Sequence, residues 1–259
     1  MVLTARGANE DFMKLVILGT AGYHPSEQRH TSCLVLPEMG LVMDAGSAMF
    51  RLPKYLQGRS LDIFLSHAHL DHVWGLTFLL DVLYLKPQDR VRVFARNDKL
   101  TAIRQHPFSP HIFPVDPPFE SIPLAGRVEL AQGCCLTTCE LQHPGGSVGF
   151  RLQWPDRSLA YITDTTSRGA SSSYVEFIRG VDLLVHECNF ADGREELAEL
   201  TGHSCTTPVA EVARAAAVGR LVLTHLNPLV TDDDPIGLSV ARKIFANTEL
   251  ASDEMQIEF

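Results

Sequence analysis

An apolar run, Leu61 to Leu65, gives way to Ser66-His67-Ala68-His69-Leu70-Asp71-His72, and these seven residues restrict what the chain can fold into more than any others. His67, His69, His72 and Asp71 are costly to bury so close together, because each needs a partner or must give up its charge. A divalent cation satisfies them jointly. A solvated histidine-rich turn would use the same residues, but it requires no second cluster elsewhere in the chain.

A second cluster is present. His143, Asp164 and His225 each stand at the C-terminal end of an apolar, β-branched or leucine-rich segment: Thr137 to Gln142, Leu159 to Thr163, and Leu221 to Thr224. Where strands point the same way, residues just past their carboxyl ends meet at one edge of the sheet, so positions distant in sequence can share an ion. These donors, added to those of the heptad, are too many for one tetrahedral zinc. They suit two metals that share a bridging carboxylate.

The remainder of the chain supplies a scaffold for such an edge. Strand-like runs at Lys14 to Leu18, Ser32 to Leu36, Leu41 to Met43, Leu61 to Leu65 and Val91 to Phe94 are separated by Gly, Pro or Asp turn signals. Asp71 to Leu85 carries apolar residues at helical spacing, which predicts a helix leading out of the heptad. Arg127 to Thr163 reads again as strands. After it come a short helix (Ser171 to Ile178), a strand (Val181 to Val185), a helix (Thr207 to Ala217), a strand (Arg220 to Thr224), a helix (Pro235 to Ala246) and a last strand ending at Phe259. Two rounds of strands then helices predict an α/β fold, a four-layer αβ/βα sandwich of two mixed sheets with helices on the outer faces. One segment stands apart. Gln105 to Pro123 is rich in proline and phenylalanine and reads as an ordered loop, either an aromatic wall of the site or a plain surface crossing.

Composition narrows the function. With 259 residues, 45% of them hydrophobic, one substantial core can be buried, and residues 1–259 read as a single domain. A net charge of −9 gives no general attraction to nucleic acid. Met1 to Glu10 lacks the pattern of a secretory signal and no segment approaches a membrane span, so a cytoplasmic location is expected. The six cysteines show no C-x-x-C spacing and read as small buried apolar residues, Cys188 included.

On these residues the chain resembles the metallo-β-lactamase superfamily, and within it the branch of ribonuclease Z and related phosphodiesterases. The likeness runs through Leu18-Gly19-Thr20, Met43-Asp44-Ala45-Gly46, the heptad, His143, Thr163-Asp164-Thr165, Val185-His186-Glu187, Gly202-His203-Ser204 and Leu223-Thr224-His225. It implies that His67, His69 and His143 hold one metal and that Asp71, His72 and His225 hold the other, with Asp164 bridging. The cofactors would be two divalent ions, zinc foremost, with manganese or iron also accepted by such nitrogen and oxygen donors. Asp44 matches the carboxylate that orients a ligating histidine.

The resemblance also implies a reaction. Water between the cations attacks phosphorus in line, oriented by Asp71, and His203 held by Glu187 protonates the departing oxygen. His203 could instead cap the following helix or contact phosphate. His186 is expected to hydrogen-bond in the core, His24 and His30 could border the pocket but have no assigned role, and His106 and His111 are expected to be structural. Ribonuclease Z proteins insert a long tRNA-gripping arm between the positions of His143 and Asp164, and here that interval holds only a turn and two strands. A small-molecule or cyclic phosphodiester is therefore expected rather than tRNA. A tRNA 3′-processing endonuclease and a thioester or lactam hydrolase are the alternatives, and a non-enzymatic binding protein on the same scaffold is a further rival. No membrane partner is expected, and dimers among such relatives leave a homodimer open.

Overall fold

The computed structural model describes residues 12–259. In the N-terminal half the strands are β1 (Lys14–Gly19), β2 (Cys33–Leu36), β3 (Leu41–Met43), β4 (Ser60–Phe64), β5 (Arg90–Ala95) and β6 (Glu120–Pro123). In the C-terminal half they are β7 (Arg127–Glu129), β8 (Cys135–Leu141), β9 (Ser147–Gln153), β10 (Ser158–Ile162), β11 (Leu183–Glu187), β12 (Arg220–Thr224), β13 (Thr248–Leu250) and β14 (Met255–Glu258). They form two seven-stranded sheets, ordered β14-β1-β2-β3-β4-β5-β6 and β13-β12-β11-β10-β9-β8-β7.

The sandwich follows from strands that are apolar on both faces. Leu15 and Ile17 of β1, Met43 of β3 and Phe64 of β4 meet Phe150, Leu159, Tyr161 and Val185 of the opposite sheet in the central core. The alternate residues Val16, Leu18, Val42, Leu61 and Ile63 turn outward. They are covered by Met49 and Leu52 of a short 3₁₀ segment, by Leu79 and Val82 of the helix Leu79–Leu85, and by Leu100 and Ile103 of the helix Asn97–Gln105. On the other outer face Ile162, Leu184 and Leu223 pack under Val209, Val212 and Ala213 of the helix Thr206–Ala215 and under Ala241 of the helix Leu238–Ile244. The order of layers is helix, sheet, sheet, helix, as expected from the sequence.

Both sheets follow one plan. Three antiparallel pairings (β14/β1, β1/β2, β2/β3) precede three parallel ones (β3/β4, β4/β5, β5/β6). The second sheet repeats this with β7/β8, β8/β9 and β9/β10 antiparallel, then β10/β11, β11/β12 and β12/β13 parallel. Two reversals make β8 run the same way as β10, β11 and β12. The carboxyl ends of all four therefore lie at one edge.

Local departures from the sequence reading have physical causes. Asp71 to Leu85 is not one helix but Leu70–Val73, a 3₁₀ segment Trp74–Phe78, and Leu79–Leu85. The break arises because the loop after β3 takes its backbone groups: Gly75 N–H donates to the Ala45 carbonyl at 2.7 Å, and Ala45 N–H donates to the His72 carbonyl at 2.8 Å. A side chain at residue 75 would strike the Gly46 carbonyl oxygen at 2.2 Å, so only glycine permits this approach. Ser171 to Ile178 buries Tyr174, Val175 and Ile178 as its periodicity requires, but through successive turns rather than a helix. Gln105 to Pro123 ends in the edge strand β6, where proline is tolerated. Its Phe108, Phe113 and Phe119 pack on the outer core, so the segment is no aromatic wall. The helices Asn97–Gln105 and Glu195–Thr201 were not anticipated.

Candidate metal centre

The expected ligands, Asp44 and Glu187 come from segments at or just past strand ends, whereas His203 lies between the helices Glu195–Thr201 and Thr206–Ala215. The heptad follows β4, Asp44 follows β3, His143 follows β8, Asp164 follows β10, Glu187 closes β11 and His225 follows β12. Asp44, Asp164 and His225 have φ of 59°, 47° and 56°, a left-handed conformation that non-glycine residues adopt at some cost. At all three, the chain turns sharply to present the side chain across the edge.

The seven expected ligands come together in two groups. In one, His143 Nε2 lies 3.2 Å from His69 Nδ1 and 3.4 Å from Asp164 Oδ2, and His67 Nε2 lies 3.5 Å from the same oxygen. In the other, His72 Nε2 is 3.1 Å from His225 Nε2, both are 3.3 Å from Asp71 Oδ2, and both are 3.2 Å from Asp164 Oδ1. Each group could hold a metal ion, and Asp164 gives one oxygen to each.

The spacing argues for cations rather than for hydrogen bonds among the ligands. A tetrahedral ion with bonds of about 2.0–2.1 Å separates its donors by about 3.3–3.4 Å, close to what is seen here. The outer nitrogens point the same way. His72 Nδ1–H donates to Asp44 Oδ2 at 2.8 Å and His143 Nδ1–H donates to the Gly202 carbonyl at 2.9 Å, leaving both Nε2 lone pairs turned inward. His67 Nδ1 meets Ser66 Oγ at 3.0 Å, while its buried Nε2 has no hydrogen-bond partner at all. The donor set fits a pair of divalent ions.

Electrostatics agree. Burial, reinforced by His72, holds His67 well below its ordinary pKa, and burial lowers His69 and His143 too, so these rings favour the neutral, ligating form. His72 goes the other way. Against the effect of burial, Asp164, Asp71 and Asp44 raise it well above its ordinary value, which marks that corner as one that demands positive charge. Asp164 and Asp71 stay ionised because the surrounding histidines outweigh the desolvation that would raise them.

Asp44 is the hub beneath the site. Its carboxylate accepts from His72, from Ser66 N–H at 2.8 Å and from the Ser66 hydroxyl at 2.9 Å, and from Tyr161 OH at 3.0 Å. Tyr161 belongs to β10, so one sheet anchors an expected ligand of the other. Nothing in the sequence distinguished it from a core tyrosine. Asn189, which donates to the His225 carbonyl at 3.0 Å, and the Tyr23 N–H, which donates to Asp71 Oδ2 at 2.8 Å, were equally hidden. Asn189 lies two residues after Glu187, and that adjacency was its sole signal.

Beside the two groups lies the pair expected from Gly202-His203-Ser204 and His186-Glu187. His203 Nδ1–H donates to Glu187 Oε1 at 3.3 Å, which leaves Nε2 as the nitrogen available to the cavity. Burial pushes this imidazole down, but the Glu187 carboxylate, with Asp164 and Asp71, raises it to about 9. Glu187 is fully buried and also accepts from Thr165 N–H and Asn189 N–H, both at 3.1 Å. His186 lies behind, with Tyr174 OH at 2.8 Å from its Nε2. Cys188 is buried in the outer core, and all six cysteines are free thiols. His24 borders the cavity, whereas His30 packs on Phe50 and Ser47, and His106 and His111 are exposed.

A sequence model described as "Beta-lactamase superfamily domain" matches residues 41–226, a span that contains all seven expected ligands, Asp44, Glu187 and His203. The chain belongs to this superfamily. Among curated relatives, a ribonuclease Z of Synechococcus sp. (strain CC9605) is 28% identical over 95% of this chain and 98% of its own length. That alignment runs over 324 positions, more than this chain contains, so the relative carries segments absent here. Among solved structures, the metallo-beta-lactamase fold protein YhfI from Bacillus subtilis superposes with a TM-score of 0.81 at 20% identity, covering 95% of this chain and 99% of that one. A diphosphatase from the PhnP family superposes with a TM-score of 0.70 at 19% identity, over 95% of this chain and 97% of that one. The protein is a metal-dependent hydrolase with the metallo-β-lactamase fold. Among its described residues no helix is long and apolar enough to cross a membrane.

Proposed function

We propose that the protein is a dinuclear metal-dependent phosphodiesterase for small or cyclic phosphodiesters, with His67, His69, His143, Asp71, His72 and His225 as ligands and Asp164 as bridge. The observation that carries this reading is His203, held on buried Glu187 and lining the same cavity as His69, Asp71, His143 and Asp164. Thioester hydrolysis has less need of such a proton donor, because a thiolate departs more readily than an alkoxide does from phosphorus.

Two divalent cations bound there would supply an acidified water and neutralise charge on the phosphoryl oxygens. The chain's own residues do the rest. Asp71, fixed by the Tyr23 N–H, orients the attacking water, and its ionised state at neutral pH keeps it an acceptor. His203 gives the proton on Nε2 to the departing oxygen while Glu187 holds Nδ1–H and stabilises the charged ring. Zinc suits the nitrogen and oxygen donors, as manganese and iron also would. Between His143 and Asp164 the chain forms only a turn and strands β9 and β10, which leaves no arm to grip tRNA. Free thiols throughout are in keeping with the cytoplasm.

The test is turnover by one metal-loaded sample on cyclic nucleotides, bis-p-nitrophenyl phosphate, a precursor tRNA and an acyl thioester. Hydrolysis of the small phosphodiesters above the other two is expected. Cleavage of tRNA alone, or of the thioester alone, would replace the proposal by the corresponding alternative.

A further inference from the structure

The cavity in front of the ligands has a volume of about 950 Å³, and most of its wall is apolar, with His24, Asn189, Thr201 and Asn227 among the polar residues that complete it. Phe190 stands edge-on to His203 with ring centroids 6.4 Å apart. Leu70 comes from the heptad, and Pro228 and Leu229 from the loop after His225. Tyr23 lies beside Asp71, which accepts its backbone N–H. Tyr23 and Leu229 are each 79% exposed and Leu70 is 60% exposed, large apolar side chains kept at the mouth of a polar site. Tyr23 is held there at a left-handed φ of 62°.

Among the described residues that line this cavity none is a lysine or an arginine. Lys99 reaches the turn after His143, but its ammonium is engaged by the Gly145 carbonyl at 2.5 Å and by Asp98 at 3.2 Å. A substrate with a second phosphate would thus have to bring an uncompensated charge against apolar walls, at a large desolvation cost. A hydrophobic or planar group would instead remove those walls from water.

We propose that the substrate is a phosphodiester of a single negative charge whose substituents are apolar or planar, seated against Phe190, Tyr23, Leu70 and Leu229, and that polyanionic phosphodiesters are excluded. This rests on the phosphodiesterase reading and narrows it. The site then selects by hydrocarbon contact rather than by counting phosphates.

The test uses four p-nitrophenyl phosphodiesters with a common leaving group, the other substituent being methyl, phenyl, thymidine through its 5′ oxygen, or the same thymidine bearing a 3′-phosphate. The phenyl and thymidine esters should exceed the methyl ester in kcat/KM by about tenfold or more. The added 3′-phosphate should lower kcat/KM by about tenfold or more. Phe190→Ala and Tyr23→Asn, the latter chosen because asparagine tolerates a left-handed φ, should bring the phenyl-to-methyl ratio towards one. Leu229→Lys should restore part of the loss caused by the 3′-phosphate. Phenylphosphonate should inhibit or bind about tenfold more tightly than methylphosphonate, a readout that needs no turnover. Equal rates on all four esters, or a gain from the 3′-phosphate, would overturn the inference and leave the phosphodiesterase intact. Silence towards all four, with phenylphosphonate still the tighter ligand, would uphold the apolar pocket and overturn the phosphodiesterase reading.

Discussion

After β4 the N-terminal sheet delivers His67, His69, Asp71 and His72 within one short loop, whereas the C-terminal sheet delivers His143, Asp164, Glu187 and His225 singly, from the ends of β8, β10, β11 and β12. The two sheets share one connectivity, and β3 and β10 hold the same place in it, as the first strand of each parallel run. Both are followed by an aspartate at positive φ, Asp44 and Asp164. Asp44 lies beneath the site and orients His72, while Asp164 lies between the two groups and joins them. The repeated plan fixes where a carboxylate can stand, and the neighbouring strand ends decide whether it lies between the two groups or behind one of their histidines.

The contrast is broken most severely at Asp164. Asp164→Ala should lower turnover by about a thousandfold or more, since both groups lose a donor and the carboxylate common to them. Steady-state rates on bis-p-nitrophenyl phosphate check this, and a loss below tenfold would show that the two groups do not act as one site.

The next effect belongs to the C-terminal half alone. His203→Ala should slow phosphodiesters with alkoxide leaving groups by about a hundredfold and leave p-nitrophenolate esters nearly untouched, because an acidic phenol departs without a proton. If His203 is the acid its active form is the protonated one, so rates on alkoxide esters should be full at neutral pH and fall as pH rises through the pKa of that ring. Glu187→Gln removes the main influence that raises it, and the alkaline fall should begin at lower pH. Equal losses on both ester types would remove His203 from the acid role.

Asp44→Ala tests the N-terminal counterpart. It strands the Ser66 N–H and hydroxyl, Tyr161 OH and His72 Nδ1–H in a fully buried position. Metal affinity should fall about 10–100-fold, and stability by about 3 kcal/mol in chemical denaturation. The smallest effect should come from Tyr161→Phe, which removes one of these hydrogen bonds while keeping the ring in the central core. A cost of about 1 kcal/mol is expected, with only a severalfold change in affinity. A cost as large as that of Asp44→Ala would make the contact from β10 the principal support of the hub.

The same contrast governs what could be read from sequence. A cluster confined to one loop is visible as a pattern, and the heptad needed no fold to be recognised. His143, Asp164 and His225 became visible through the strand-like segments before them. Tyr161 and Asn189 act across the sandwich or between loops, and only the packing of the sheets brings them to their partners. The helix expected over Asp71 to Leu85 is broken for a related reason: periodicity reports which side chains are buried, not that the β3 loop takes over the hydrogen bonds of Gly75 and His72. The apolar wall of the cavity is not legible in the sequence either, since Tyr23, Phe190 and Leu229 lie in separate loops without regular spacing.

The central claim is that two sheets built alike close on a pair of cations. Counting bound metal per chain by elemental analysis after gel filtration tests it most directly, in the parent protein and in a His69→Ala, His143→Ala double variant that spares the group of Asp71, His72 and His225. The account predicts two divalent ions in the parent and one in the variant. One ion or none in a metal-saturated parent, or the same two in the variant, would contradict it.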